Sequence, residues 1–112
     1  ELEGAAEHAC TLEVTTASRT AEIEGVSVTE GEFIGLKDGR LAVSRPTPEE
    51  SLAEMVAGVA GDYELGVLFY NAALGRERAE ALQRELTERH PALELELHPG
   101  SPDVYAFVMA LE

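Results

Sequence analysis

A chain of 112 residues that is 45% hydrophobic makes one domain with room for a single core. The 22 acids against 8 Lys and Arg give a formal charge of −14, which argues against a nucleic-acid or anionic-membrane surface, because both need clustered basic side chains. Cys10 is the lone cysteine and no long apolar run occurs, so no internal disulfide and no membrane insertion is expected, and a reducing, cytoplasmic setting fits.

The chain begins at Glu1 and not at Met, so a piece of a longer protein is expected. Residues 1–10 read as the tail of a preceding helix or a linker, and 11–112 as a single domain. His8 and Cys10 stand two apart, but a zinc site needs about four ligands. The remaining histidines, His90 and His98, fall on separate elements, so no metal is expected. Leu12, Val14 and Thr16 alternate with Glu13, Thr15 and Ala17, the period of a strand. Ile23, Val26 and Val28 around Gly25 suggest a second strand with a turn or bulge.

Gly31–Ser44 reads as a β-hairpin closed by Asp38-Gly39, a pair suited to a type I′ turn with φ > 0 at both central residues. The simplest register pairs Lys37 with Arg40, Leu36 with Leu41, Gly35 with Ala42 and Ile34 with Val43. One face then carries Ile34, Leu36, Leu41 and Val43 and must be covered.

Thr47-Pro48-Glu49-Glu50 is a helix start: Thr47 suits the N-cap, Pro48 the first turn, and Glu50 completes a capping box. Leu52, Met55, Val56 and Val59 give an apolar stripe, and Gly61 reads as the stop, so the spacing predicts a helix over about Pro48–Ala60. Tyr63–Tyr70 is nearly all apolar and reads as an interior strand buried on both faces. A second helix is predicted over Arg76–Arg89, ended by His90-Pro91. Its glutamates and arginines read as a solvated, ion-paired face. Leu93, Leu95 and Leu97 alternate with Glu94, Glu96 and His98, a half-exposed strand, and Val104–Leu111 is again apolar on both faces. The strand–helix–strand unit Tyr63–Leu97 allows a parallel pair. The whole predicts an α+β two-layer sandwich, a mixed sheet with two helices on one face.

Chemistry is sparse. There is no P-loop and no G-x-G-x-x-G, no carboxylate pair stands out, and no catalytic, cofactor-binding or metal-binding residue is assigned. The best candidate for a partner or ligand is the loop His98-Pro99-Gly100-Ser101-Pro102-Asp103 with Tyr105 after it: a histidine at a strand end followed by a glycine turn. Its residues of interest are His98, Gly100, Ser101 and Tyr105. The alternative is a rigid connector in which the prolines only restrict the chain.

Three pieces carry a family resemblance: Ile23–Leu41 (IEGVSVTEGEFIGLKDGRL), Leu68–Asn71, and H-P-G-S-P-D-V-Y with the apolar strand behind it. Over nearly the whole chain from Thr11 they resemble the C-terminal end of the bacterial fatty-acid kinase catalytic subunit (FakA), also called dihydroxyacetone kinase-like. Where that family has a Gly-Gly-Gln-Pro-like loop, Gly100-Ser101-Pro102 stands here. The resemblance implies a longer parent whose N-terminal domain holds ATP and Mg²⁺, so no cofactor is expected in this fragment and the fragment is not itself an enzyme. It also implies two kinds of partner: the parent's other domains, and a DegV-like fatty-acid-binding protein that presents the acyl chain. The end of the chain is similar to the second domain of DegV-like proteins, where the histidine matching His98 lies near the lipid head group. A different function follows from that similarity: an acyl- or small-ligand-binding or phosphatase domain acting at the His98–Tyr105 loop.

Overall fold

The structure, a computed structural model, describes residues 10–17, 20–23, 25–100 and 105–112. The expected helix tail before Cys10, His8, Ser101 and the rest of the loop through 104 lie outside the described residues. Among the described residues there are eight strands: β1 (Cys10–Thr16), β2 (Ala21–Ile23), β3 (Val26–Val28), β4 (Phe33–Lys37), β5 (Arg40–Arg45), β6 (Leu65–Tyr70), β7 (Glu94–Pro99) and β8 (Tyr105–Leu111). The helices are α1 (Pro48–Val59) and α2 (Arg76–Arg89). Six strands form one sheet in the order β5-β4-β1-β8-β6-β7, and β2 and β3 form a separate antiparallel pair. The β6–β7 pair is parallel and the other neighbours in the large sheet are antiparallel, so the sheet is mixed as expected.

Both helices pack on one face of that sheet. From α1 come Leu52, Met55, Val56 and Val59, and from α2 Ala79, Leu82 and Leu86. They join Leu12 and Val14 of β1, Leu68 and Tyr70 of β6, and Phe107, Met109 and Leu111 of β8 in one buried cluster. The fold is therefore α+β with two layers. Helix α1 starts where its capping chemistry places it: the Glu50 N–H donates to Thr47 Oγ1 at 3.2 Å, and that hydroxyl donates to Glu50 Oε1 at 3.0 Å. Buried Ser51 is satisfied by donating to the Phe33 carbonyl at 2.6 Å, which fastens α1 to β4. The helix ends differently from expectation. It runs into a 3₁₀ turn, Ala60–Asp62, and Gly61 does not take the left-handed conformation of a C′ glycine.

The hairpin turn is as read: φ is 52° at Asp38 and 83° at Gly39. Its register is not. Leu36 faces Leu41, but Gly35 faces Val43 and Ile34 faces Ser44, with an irregularity after Gly35. The extra residue in β5 flips the face. Leu41 stays with Ile34 and Leu36, while Val43 turns to the helices beside Gly35. The reason lies across the sheet: a Cβ on Gly35 would come within 2.6 Å of Met55 Cε, so this is the point where α1 approaches most closely. Asp38 also has a tertiary role. Its carboxylate accepts from the Thr11 N–H at 2.9 Å and its own N–H donates to the Thr11 carbonyl at 2.8 Å, tying the hairpin tip to β1.

A Cβ added at Gly39 would meet nothing within 4 Å, so any penalty there comes from the backbone alone. Gly39→Val is expected to destabilise the domain by about 1–3 kcal/mol, the cost of a β-branched residue at positive φ. A thermal melt checks it: an unchanged midpoint would mean the turn relaxes to another type.

Candidate functional site

The face of the sheet opposite the helices is apolar. Cross-strand partners point their side chains to the same side, so the register lays out a row from edge to edge: His98 on β7, Phe69 on β6, Val108 on β8, Glu13 on β1, Leu36 on β4 and Leu41 on β5. A second row runs Glu96, Val67, Ala110 and Thr11. Leu65 and Ile34 extend the surface at its two ends, and all these aliphatic and aromatic side chains are half-buried. This corrects the expectation that β6 and β8 are buried on both faces. Their burial alternates, with Leu68, Tyr70, Phe107, Met109 and Leu111 under the helices and the residues between them on the open side.

Charge is divided between the faces. The open face carries Glu13, Glu94 and Glu96, and no Lys or Arg among the described residues. On the helix side the arginines are paired: Arg45 with Glu54, Arg76 with Glu80 at 2.8 Å, and Arg89 with Glu85 at 3.0 Å. Arg78 reaches across to α1 and grips Glu49 with two bonds of 2.7 and 2.8 Å, a link between helices that the residue pattern does not announce. That bond holds the Arg78 guanidinium above its ordinary pKa. A groove of ≈ 310 Å³ between the helices is lined by Arg45, Arg89 and the glutamates that pair with them, so its charges are already matched.

Of the predicted site residues, His98, Gly100 and Tyr105 gather at one end of the sheet without forming one cluster. His98 is exposed on the open face; its ring centroid is 5.9 Å from that of Phe69 and its Nε2 is 3.2 Å from Glu96 Oε1. A carboxylate only accepts, so this contact keeps the proton on Nε2. Gly100, at φ 114°, donates its N–H to the Tyr70 carbonyl at 3.0 Å and so continues the β6–β7 pairing. Tyr105 opens β8, with β6 between it and β7. His98 and Tyr105 are thus two strand spacings apart, about 10 Å. A bulge in β8, where Val14 pairs with Phe107 but Thr15 with Tyr105, sets this corner.

The residue that links the corner is Asn71. Its side chain donates to the Tyr105 carbonyl at 3.2 Å and accepts from the Ala73 N–H at 2.8 Å, and its own N–H donates to the Ala106 carbonyl at 3.0 Å. It therefore joins the end of β6, the turn into α2 and the start of β8. An Asn directly after an apolar strand was the available signal, since Asn favours such self-closing turns. Cys10 is fully buried, and burial first, then the Asp38 charge, pushes its thiol up, so it stays neutral and unreactive.

A family model for the FakA-like C-terminal domain of fatty acid kinases matches residues 1–112. Protein YloV of Bacillus subtilis is 26% identical over 102 residues, covering 89% of this chain and 18% of that protein. An uncharacterized protein of Staphylococcus haemolyticus is 23% identical over 100 residues, covering 88% of this chain and again 18% of the relative. The chain thus spans less than a fifth of these relatives' length. Among solved structures, a DegV-family protein of Ruminococcus gnavus, refined with vaccenic acid, superposes with a TM-score of 0.63 at 16% identity, over 99% of this chain and 47% of that one. At that identity the likeness is one of fold.

Proposed function

Because this chain belongs to the FakA-like C-terminal family of fatty acid kinases, we propose that it is a non-catalytic domain that docks its parent kinase onto a DegV-like fatty-acid-binding protein. The observation that carries this reading is the uncovered apolar face of the sheet. Strands as apolar as β6 and β8 belong to sheets covered on both sides, and here one side is left for another surface. The corner around His98 offers an imidazole held by a carboxylate rather than a nucleophile held by a base, which favours recognition over covalent catalysis.

The parent's ATP and Mg²⁺ are assigned to its other domains. A nucleotide does not fit the described residues. Lys37, the single lysine, sits at the sheet end where β6 begins, whereas α2 starts at the end where β6 finishes. No Lys and helix N-terminus therefore converge on one phosphate.

The test is binding between the intact parent and a DegV-like protein of the same organism, with and without this domain. Deletion is expected to abolish binding. Association through an acidic face should also slow with salt, since the Debye length falls from about 10 Å at 0.1 M to about 3 Å at 1 M. Equal affinity after deletion would overturn the docking role.

A further inference from the structure

Glu13 occupies the centre of the open face, and its role there rests on the docking function proposed above. It is flanked across the strands by Leu36 on one side and Val108 on the other, and makes no hydrogen bond or ion pair among the described residues. In the free domain water solvates this half-buried carboxylate. Covering the face with a purely apolar surface would strip that water and leave a buried charge without a partner, which is strongly unfavourable. Glu94 and Glu96 at the β7 edge give the rim the same sign. We propose that the open face docks the DegV-like carrier through an apolar patch bearing one Arg or Lys, and that this cation pairs with Glu13 between Leu36 and Val108.

The same residue disfavours a second copy of this chain as the occupant. A two-fold contact centred on the face would set Glu13 against the copy's Glu13, with no Lys or Arg on the described face to separate them. A carrier with a basic group in an apolar surround satisfies both the carboxylate and the aliphatic row. Arginine suits the place best, because its planar guanidinium can pair with the carboxylate while lying on Leu36 and Val108. The arrangement also sets the order of events: the acidic rim steers the basic partner, and the Glu13 pair forms as water leaves.

The experiment measures the affinity of the intact parent for a DegV-like protein of the same organism by calorimetry. Glu13→Gln keeps the shape and removes the charge; Glu13→Arg reverses it; Glu88→Arg, on the exposed side of α2, is the control. Expected are a loss of about tenfold or more for Glu13→Gln, no measurable binding for Glu13→Arg, and an unchanged affinity for Glu88→Arg. If Glu13→Arg does not fold, as judged by its thermal melt, the Glu13→Gln result decides. Wild-type binding with Glu13→Gln and Glu88→Arg equally unaffected would overturn this face as the interface while leaving the docking role standing. No wild-type binding would overturn both. A concentration-dependent dimer of the parent that Glu13→Gln strengthens would assign the face to a second copy and overturn the carrier as its occupant.

Discussion

Phe107→Ala is expected to lower the domain's stability by about 3–5 kcal/mol, whereas Val108→Ala, one residue further along β8, should cost about 1 kcal/mol or less. Phe107 is fully buried, level with Val14 and Tyr70 and under the helices. Removing its ring leaves a cavity in a central strand that neighbours on both sides hold in place. Val108 points the other way, between Glu13 and Phe69, and keeps part of its surface in water. Chemical denaturation of both variants measures the difference directly. Similar losses would mean that both faces of β8 are covered, and the open surface would have to be abandoned. With the partner bound the ranking should narrow, because Val108 then contributes to the interface.

Gly35→Val should cost about 1–3 kcal/mol by overpacking, for a reason unlike that at Gly39. A Cβ at Gly35 would stand 2.6 Å from Met55 Cε, 2.7 Å from Met55 Sδ and 2.8 Å from Val43 Cγ2. Met55 can swing its thioether aside, as methionine does readily. Val43 has less freedom, because its branched carbon sits next to the β5 backbone. Removing Met55 makes a hole that the new valine can fill. The double variant Gly35→Val/Met55→Ala should therefore be more stable than the sum of the single effects predicts, by about 1 kcal/mol or more. Strict additivity would show that the two positions are not in contact.

Much of the fold can be read along the chain because its signals are short-range. The Thr47–Glu50 box, the Asp38-Gly39 turn and the His90-Pro91 stop each act within about four residues, and the helices and the turn lie where these place them. The leucines of β7 and the stripes of α1 and α2 follow the same logic, since period alone assigns a face to an element that is polar on its other side. The candidate site was legible only in part. His98 stood out as a histidine at a strand end, but nothing near Glu13 in sequence marks it as different from the other glutamates. Its position depends on Leu36 and Val108, 23 and 95 residues away.

From the sequence alone came the elements, their order, the turn and the caps, together with the charge that argues against nucleic acid. Only the tertiary structure decided that β8 lies between β1 and β6, that bulges in β5 and β8 shift the register, that Arg78 binds Glu49, and which face of the apolar strands stays open. The physical reason is that pairing is non-local. A strand apolar on both sides fits either face equally well by its own pattern, and a one-residue slip exchanges the two faces. The choice falls to the closest contact, where Gly35 admits Met55 and α1 settles on that side.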